Sequence, residues 1–511
     1  LTTAAKVDPE LGDTSILEIS RPTAERKLMH LADKIFSLSD QLQFAAASGD
    51  HNPMHVDPVA SRRTQAGAPV VHGIHLLLWS LNAFAAKRVG APPLRRLRAE
   101  FKRLVYLDET ASVRISESDE RRARLSVITA DGVKSEFTLE FGTPEKIAPS
   151  WPATLSGTLP HSTTPMVPDL AQISGMKGRL PLNFSAKDAA DFFPHATTWM
   201  GQRSIAALAA TSHLVGMICP GLHSIYSDLA LEFCVPVELI ANDLAFCVTK
   251  VNPRFGLVVE EVVSAGFSAT VRAFLRQPPV SQPSMQSLAG LVAPDEFAGT
   301  FSLIVGGSRG LGELTAKLIA SGGGRIAITW QSGRDDAERI ATEIRHAGGQ
   351  CETLRYDARE DAASQLAALA DTPGHVYYFA TSIISRARAA IYAPKRLAEF
   401  LSIYVDGFWL LTQALRARKP AISLFYPSTV FVDERSPGLT EYAMAKAAGE
   451  TLCADINTEL SPTHVTVKRL PRMPTDQTAS LIALDYENPL HVLLPIVREV
   501  QARRAVNAPP E

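Results

Sequence analysis

The segment 72–89, HGIHLLLWSLNAFAAKRV, constrains the fold most, because it is helix-length and apolar almost all the way round. A helix with no polar face has to be buried on every side. A strand-like stretch holding Glu100, Phe101 and Val105 follows, then segments 111–115, 123–129 and 136–141, rich in Val, Phe and Leu. One buried helix followed by several antiparallel strands is the order in which a sheet wraps around a helix. The pattern then repeats: residues 202–218 (QRSIAALAATSHLVGMI) predict a second such helix, stopped by Pro220-Gly221. A strand with Glu232, Phe233 and Val237 comes next, followed by segments 244–251, 257–263 and 268–275.

Two stretches, 149–168 (PSWPATLSGTLPHSTTPMVP) and 277–283 (QPPVSQP), are rich in Pro, Ser and Thr and lack apolar periodicity, so they read as linkers. They divide the 511 residues into 1–148, 169–278 and 298–511, in keeping with about three domains for this length. The third piece alternates differently, with strands at 302–305, 325–329, 351–356, 375–379 and 422–426 and helices at 312–320 and 335–347. Apolar strands alternating with amphipathic helices predict right-handed βαβ units and a Rossmann-type, doubly wound parallel sheet covered on both faces.

Composition excludes several classes. Fifty-one basic against 53 acidic side chains, a formal charge of −2, give no global attraction to nucleic acid or to an anionic membrane. Five cysteines, odd in number and without CxxC spacing, argue against a disulfide framework and a zinc site, so no metal and a reducing cytoplasm are expected. The opening LTTAAKVDPELGD lacks the features of a signal peptide, and no run of about 18 apolar residues suggests a membrane span. The absence of an initiating Met suggests a trimmed chain.

Residues 44–57 read FAAASGDHNPMHVD. Asp50 and His55 flank the turn-prone Asn52-Pro53, which can bring a carboxylate and an imidazole to one pocket after the helix 41–47 ends. Hydration or dehydration of a thioester needs such a pair: one group moves a proton on the β-oxygen or its water, the other a proton at Cα. A backbone N–H supports the enolate-like oxygen, and that of Gly73, opening the buried helix, is placed for it. SGDHNPMHVD followed by APVVHGIHLL closely resembles the R-specific enoyl thioester hydratases, MaoC-like proteins of hot-dog fold, with their SGDxNPxHxD and VHG patterns. The resemblance implies that Asp50 and His55 are the acid-base pair and that Gly73 lends the oxyanion amide. The second piece has no equivalent; Asp191 and His195 are misspaced and read as surface or capping residues. The pieces together are expected to form an α+β double hot dog with one working half. Arg95, Arg96, Arg98, Lys102 and Arg103 form a basic cluster, readable as a solvated face or as a landing site for a cofactor phosphate or an acidic carrier protein.

Residues 301–313, FSLIVGGSRGLGE, form a strand, a glycine-rich turn and a helix start, with Gly306, Gly310 and Gly312 letting the backbone approach a pyrophosphate. Tyr442 and Lys446 are four apart and share a helical face, where the lysine can stabilise a phenolate. In the order glycine loop, Ser/Thr, YxxxK, residues 298–511 resemble the short-chain dehydrogenase/reductase superfamily. That resemblance implies catalytic Thr429 (with Ser428 adjacent), Tyr442 and Lys446. It also implies a cofactor cradle of Gly306, Ser308, Arg309, Gly310, Leu311, Gly312, Asp357 and Ala380, to which Tyr442 and Lys446 contribute. Val305 and Tyr404 stand where the family has Thr and Asn, and the region after Pro471 is short, which leaves a slow or inactive reductase as an alternative. The strand ending Thr329-Trp330-Gln331-Ser332 offers no acid to a ribose 2′-hydroxyl, whereas Arg309 and Arg334 can meet a 2′-phosphate, so NADP is expected; Asp335 and Asp336 keep NAD open.

These readings imply a bifunctional enzyme that reduces a 3-oxoacyl thioester and dehydrates the (R)-3-hydroxyacyl product in fatty-acid or polyketide synthesis. The acyl group would ride on a separate carrier protein or coenzyme A, and a homodimer is expected. The alternatives are the reverse pathway of breakdown and a non-catalytic thioester-binding scaffold.

Overall fold

The computed structural model describes residues 29–503 apart from 65, 89, 148–158, 160–161, 237–241, 265, 385–390 and 477–485. Residues 1–28, Val237 and most of the first linker therefore lie outside the described residues.

The first two pieces share one sheet. Its strands are β1 (Met29–Ile35), β2 (Leu94–Phe101), β3 (Thr110–Ser118), β4 (Arg122–Thr129), β5 (Gly132–Phe141), β6 (Glu145–Ile147), β7 (Lys177–Pro181), β8 (Ser224–Pro236), β9 (Asp243–Asn252), β10 (Leu257–Ser264) and β11 (Phe267–Leu275). They run in the order β1-β3-β4-β5-β2-β8-β11-β10-β9-β7, with β6 beside β8. The halves meet where β2 and β8 pair antiparallel, from Arg96 opposite Glu232 to Glu100 opposite Asp228. Period-two alternation turns one face inward, as in β10, where Val258, Glu260 and Val262 are buried. Against that face lie the helices Gly73–Lys87 and Gln202–His213. Leu76, Leu77, Leu81, Ala207, Leu208 and Ala210 join Leu97, Phe137, Leu231 and Phe246 in a single core. Burying a Leu or Phe there contributes about 2 kcal/mol each.

Several expectations shift. Val105 lies beyond the end of β2, because the chain leaves the sheet after Phe101. The second helix ends as α-helix at His213 and continues as a π-turn, Leu214–Ile218. The end of the first linker belongs to the second half: the Leu159 N–H donates to Arg179 O and the Met166 N–H to Met217 O.

The third piece forms a six-stranded parallel sheet from β12 (Phe301–Val305), β13 (Arg325–Trp330), β14 (Cys351–Arg355), β15 (His375–Tyr378), β16 (Ser423–Thr429) and β17 (His464–Leu470), in the order β14-β13-β12-β15-β16-β17. Every residue of β15 and β16 is buried, as expected of strands covered on both faces. One face carries the helices Gly310–Ser321, Arg334–His346 and Pro489–Ala502. The other carries Phe408–Arg418 and Thr440–Glu459. The strand order reverses between β12 and β15, the switch point outside whose carboxyl ends open α/β sheets bind ligands.

Candidate active sites

The first site starts from a helix that ends on cue. Leu38–Ser48 is capped by Ser37 and Asp40 and terminated at Gly49 (φ 86°), so Asp50 follows directly into the interior, 2% exposed. Asn52 caps the one-turn helix Pro53–Val56, which carries His55 back toward Asp50. The His55 Nδ1–H donates to Val70 O (2.8 Å), which leaves Nε2 with its lone pair for proton transfer. Burial holds this imidazole below the ordinary histidine range, against the opposing pull of Asp50. The His72 ring stacks on that of His55, with centroids 3.9 Å apart. Its two nitrogens face Gln41 Oε1 (2.8 Å) and the Asp50 carbonyl (3.0 Å). Ligating atoms of Asp50, His55 and His72 lie within 4.8 Å of one another. Gly73 is the first helical residue after His72 and packs on Phe101, so its N–H is one of the first-turn donors without an intrahelical acceptor.

The second half completes this site. Ser212 Oγ donates to Asp50 Oδ2 at 2.6 Å. Asn52 Nδ2 donates to Gly216 O at 2.8 Å, a carbonyl presented by the π-turn. A Cβ on Gly216 would strike the Asp50 carboxylate. Sequence reasoning missed Ser212, Gly216 and His72. The signal for Ser212 was the polar run Thr211-Ser212-His213 in the apolar part of its helix, and that for His72 was its place in the VHG run.

Asp191 and His195 sit apart from this pocket, Asp191 paired with Lys187 and the His195 N–H donating to Asn82. The basic cluster of β2 is interleaved with carboxylates: Arg96 pairs with Glu232 (2.6 Å), Arg98 with Glu100 (3.0 Å) and Lys102 with Glu136 (2.5 Å). That face is mixed in sign rather than basic.

In the third piece, Gly306 (φ 79°) takes a conformation that favours glycine, and a Cβ there would come within 2.9 Å of the Phe379 carbonyl group. Its N–H donates to Thr329 Oγ1 (3.0 Å). The loop then enters the helix Gly310–Ser321, with Ser308 buried and Leu311 packed on the core. Nothing lies within 4 Å of a Cβ built on Gly310, so the turn is open to a ligand. These residues fit a dinucleotide pyrophosphate. Ala380 follows β15 beside Gly306. Asp357 is held by Arg359 and by Gln331 Nε2 (2.8 Å), and the Arg359 guanidinium keeps its carboxyl near 2.

Tyr442 and Lys446 lie on the helix Thr440–Glu459. Thr429, at the end of β16, lies against the Tyr442 phenol, whose pKa burial pushes up to about 12. Ser428, expected beside the tyrosine, is turned away, because adjacent strand residues face opposite sides; its hydroxyl donates to Glu450. Lys446 Nζ donates to Pro427 O (2.7 Å) and stands 4.0 Å from the Tyr404 ring centroid. Burial lowers its pKa to about 7. Tyr404 fills its place with an aromatic face, its hydroxyl sharing a 2.6 Å bond with Thr381.

Residues 18–136 match the family model described as a MaoC like domain, and residues 301–482 match that of short chain dehydrogenase. Among curated proteins, the chain is 26% identical over 185 residues (32% of this chain, 72% of the relative) to the uncharacterized oxidoreductase YgfF of Escherichia coli. It is 25% identical over 220 residues (41% and 83%) to the oxidoreductase UcpA of Salmonella typhimurium. It is 27% identical over 195 residues (34% and 71%) to the NADPH-dependent aldehyde reductase-like protein, chloroplastic, of Arabidopsis thaliana. Among solved structures, a short chain dehydrogenase from Shigella flexneri is 18% identical, with coverages of 41% and 88% and a TM-score of 0.38. A 3-oxoacyl (acyl-carrier-protein) reductase from Agrobacterium tumefaciens with NADP bound is 19% identical, with coverages of 35% and 73% and a TM-score of 0.33.

Proposed function

Because this enzyme joins a MaoC-like dehydratase domain to a short-chain dehydrogenase domain, we propose that it reduces a 3-oxoacyl thioester and dehydrates the (R)-3-hydroxyacyl product to the trans-2-enoyl thioester. The observation that carries this reading is the presence of two complete acid-base sets in one chain, Asp50 with His55 and Thr429 with Tyr442 and Lys446. Their chemistries meet at the same carbon. On this reading the first two pieces are a double hot dog whose second half has kept its architecture and lost its own acid-base pair.

The glycine loop 306–312 would hold NADPH, which supplies the hydride to the C3 carbonyl. Thr429 orients the carbonyl oxygen and Tyr442 protonates it. A phenol with its pKa pushed up to about 12 is protonated at neutrality, the form able to donate a proton. Lys446 under the tyrosine rings favours the phenolate left behind. In the other site, His55 Nε2 and Asp50 share removal of the Cα proton and protonation of the departing C3 oxygen, with the Gly73 N–H on the thioester oxygen. No metal is needed for either step. Unpaired cysteines suit a cytoplasmic setting, and the acyl group is read as carried by a separate carrier protein or coenzyme A. Among the described residues no helix is long and apolar enough to cross a membrane.

The test is one incubation. A 3-oxoacyl thioester with NADPH should yield the trans-2-enoyl thioester from this single chain, and Asp50→Asn should stop it at the (R)-3-hydroxy stage, with dehydration cut about 10²-fold or more. Strong preference for NADH, or an (S)-3-hydroxy product ignored by the Asp50/His55 site, would favour breakdown instead.

A further inference from the structure

The carboxyl edge of the parallel sheet is crossed by a segment of the other domain. Arg62 and Arg63 end a short 3-10 turn, Ala60–Arg63, in the dehydratase domain. The Arg62 carbonyl accepts a hydrogen bond from Arg309 Nη1, in the glycine loop after β12. Arg62 Nη2 lies 3.3 Å from Asp336 Oδ2 and Arg63 Nη2 lies 2.6 Å from Asp336 Oδ1, both near the start of the helix that follows β13. The Arg62 guanidinium also lies over Gly333, where any Cβ would collide with it. A few residues on, Gly67 packs against Ile383, beyond the end of β15. Arg62, Arg63 and Gly67 thus lie across the carboxyl ends of β12, β13 and β15, the crevice in which this fold binds its ligands.

We propose that Arg62 and Arg63 of the dehydratase domain complete the 2′-phosphate pocket of the reductase domain, so that the adenosine 2′-phosphate of NADP is gripped by both domains at once. This rests on the NADP reading above. Three guanidiniums (Arg62, Arg63, Arg309) face two carboxylates (Asp336, Asp476), and the nearby Glu313 is balanced by Lys317 and Arg339, which leaves the cluster positive. Arg62 Nε is buried and has no hydrogen-bond partner among the described residues, a donor that a phosphate oxygen would satisfy. Asp336, one of the two acids that could otherwise take a ribose 2′-hydroxyl, has both oxygens engaged by the two arginines. A 2′-phosphate therefore brings charge and several acceptors to this arginine set, whereas a bare 2′-hydroxyl can accept from one donor and leaves the positive charge unmatched. Cofactor binding also ties the two domains together, which separate enzymes could not do.

Titration calorimetry on the full chain with 2′,5′-ADP and 5′-AMP tests this. The unmodified chain should bind 2′,5′-ADP more tightly. Replacing both arginines (R62A with R63A) should weaken 2′,5′-ADP by about tenfold or more while leaving 5′-AMP within about twofold. Equal loss of both ligands, or loss of neither, overturns the proposal. A second measurement needs no variant: amide hydrogen exchange across residues 60–67 should slow with saturating 2′,5′-ADP and not with 5′-AMP, and unchanged exchange in both overturns it. If the unmodified chain shows no preference for 2′,5′-ADP, the NADP reading falls and takes this inference with it. If the preference is present and survives in the arginine variant, only the interdomain pocket falls.

Discussion

Thr429 and Ser428 differ by one position and occupy opposite sides of β16, which makes them a clean test of the reductase site. Thr429 contacts the Tyr442 phenol, whereas Ser428 is spent on Glu450, itself held by Arg469. Thr429→Val should lower 3-oxoacyl reduction by about 10²-fold, the scale on which positioned groups act. Ser428→Ala should cost less than about tenfold in the same steady-state assay, since that hydroxyl is spent on Glu450 and does not face the tyrosine. Equal losses would place the substrate hydroxyl elsewhere.

At the scale of elements, the informative piece is the π-turn Leu214–Ile218 at the end of the second buried helix. The Gly216 carbonyl lies in the last turn, where its α-helical partner would be residue 220, a proline without an N–H; it receives Asn52 instead, while Ser212, one turn earlier, holds Asp50. The second half therefore holds Asp50 and Asn52 of the first in place. Gly216→Ala places a methyl group on the Asp50 carboxylate and should reduce crotonyl thioester hydration at least tenfold, because misplacement of a reacting group by about 1 Å is costly. The thermal transition should drop only modestly, and NADPH-dependent reduction in the distant domain should be retained. Unaltered hydration would show that the second half does not position Asp50.

For the whole molecule, pH acts through buried groups of opposite sign. Burial holds His55 and His72 below the ordinary histidine range and pulls His75 down to about 3. Their stabilisation is fully present above about pH 6.5 and is lost as pH falls, because the unfolded chain takes up protons that the fold refuses. Glu260 behaves the other way. It is wholly buried on β10 beside the Cys219 thiol and near the Tyr226 phenol, and burial pushes its pKa up to about 8. Its contribution is present below about pH 4.5 and is lost as pH rises through 8, at up to about 1.4 kcal/mol per pH unit. Glu260→Gln should therefore melt at the same temperature as the unchanged protein near pH 4.5 and at a progressively higher one up to about pH 8, with the difference levelling above it. A melting difference independent of pH would mean that Glu260 is already ionised in the fold.

Local chemistry determined much of this protein from its sequence: two all-round apolar helices demand a wrapping sheet, alternating strands and amphipathic helices demand a parallel one, and the glycine loop must sit where strand meets helix. The SGDHNPMHVD run and the Tyr442/Lys446 pair were readable for the same reason, since their partners lie within a few residues and turn or helix geometry brings them together. The edge strands β1 and β7 were not readable, because only Leu31 in β1 and Gly178 and Leu180 in β7 point inward and the alternation is too weak to stand out. Nor could spacing along the chain reveal that Ser212 meets Asp50 across 162 positions, or that Arg62 meets Asp336 across 274. Such contacts exist only because β2 pairs with β8 and because one domain lies across the sheet edge of another. A sequence records which groups can interact; which distant ones do is decided by how the buried faces pack.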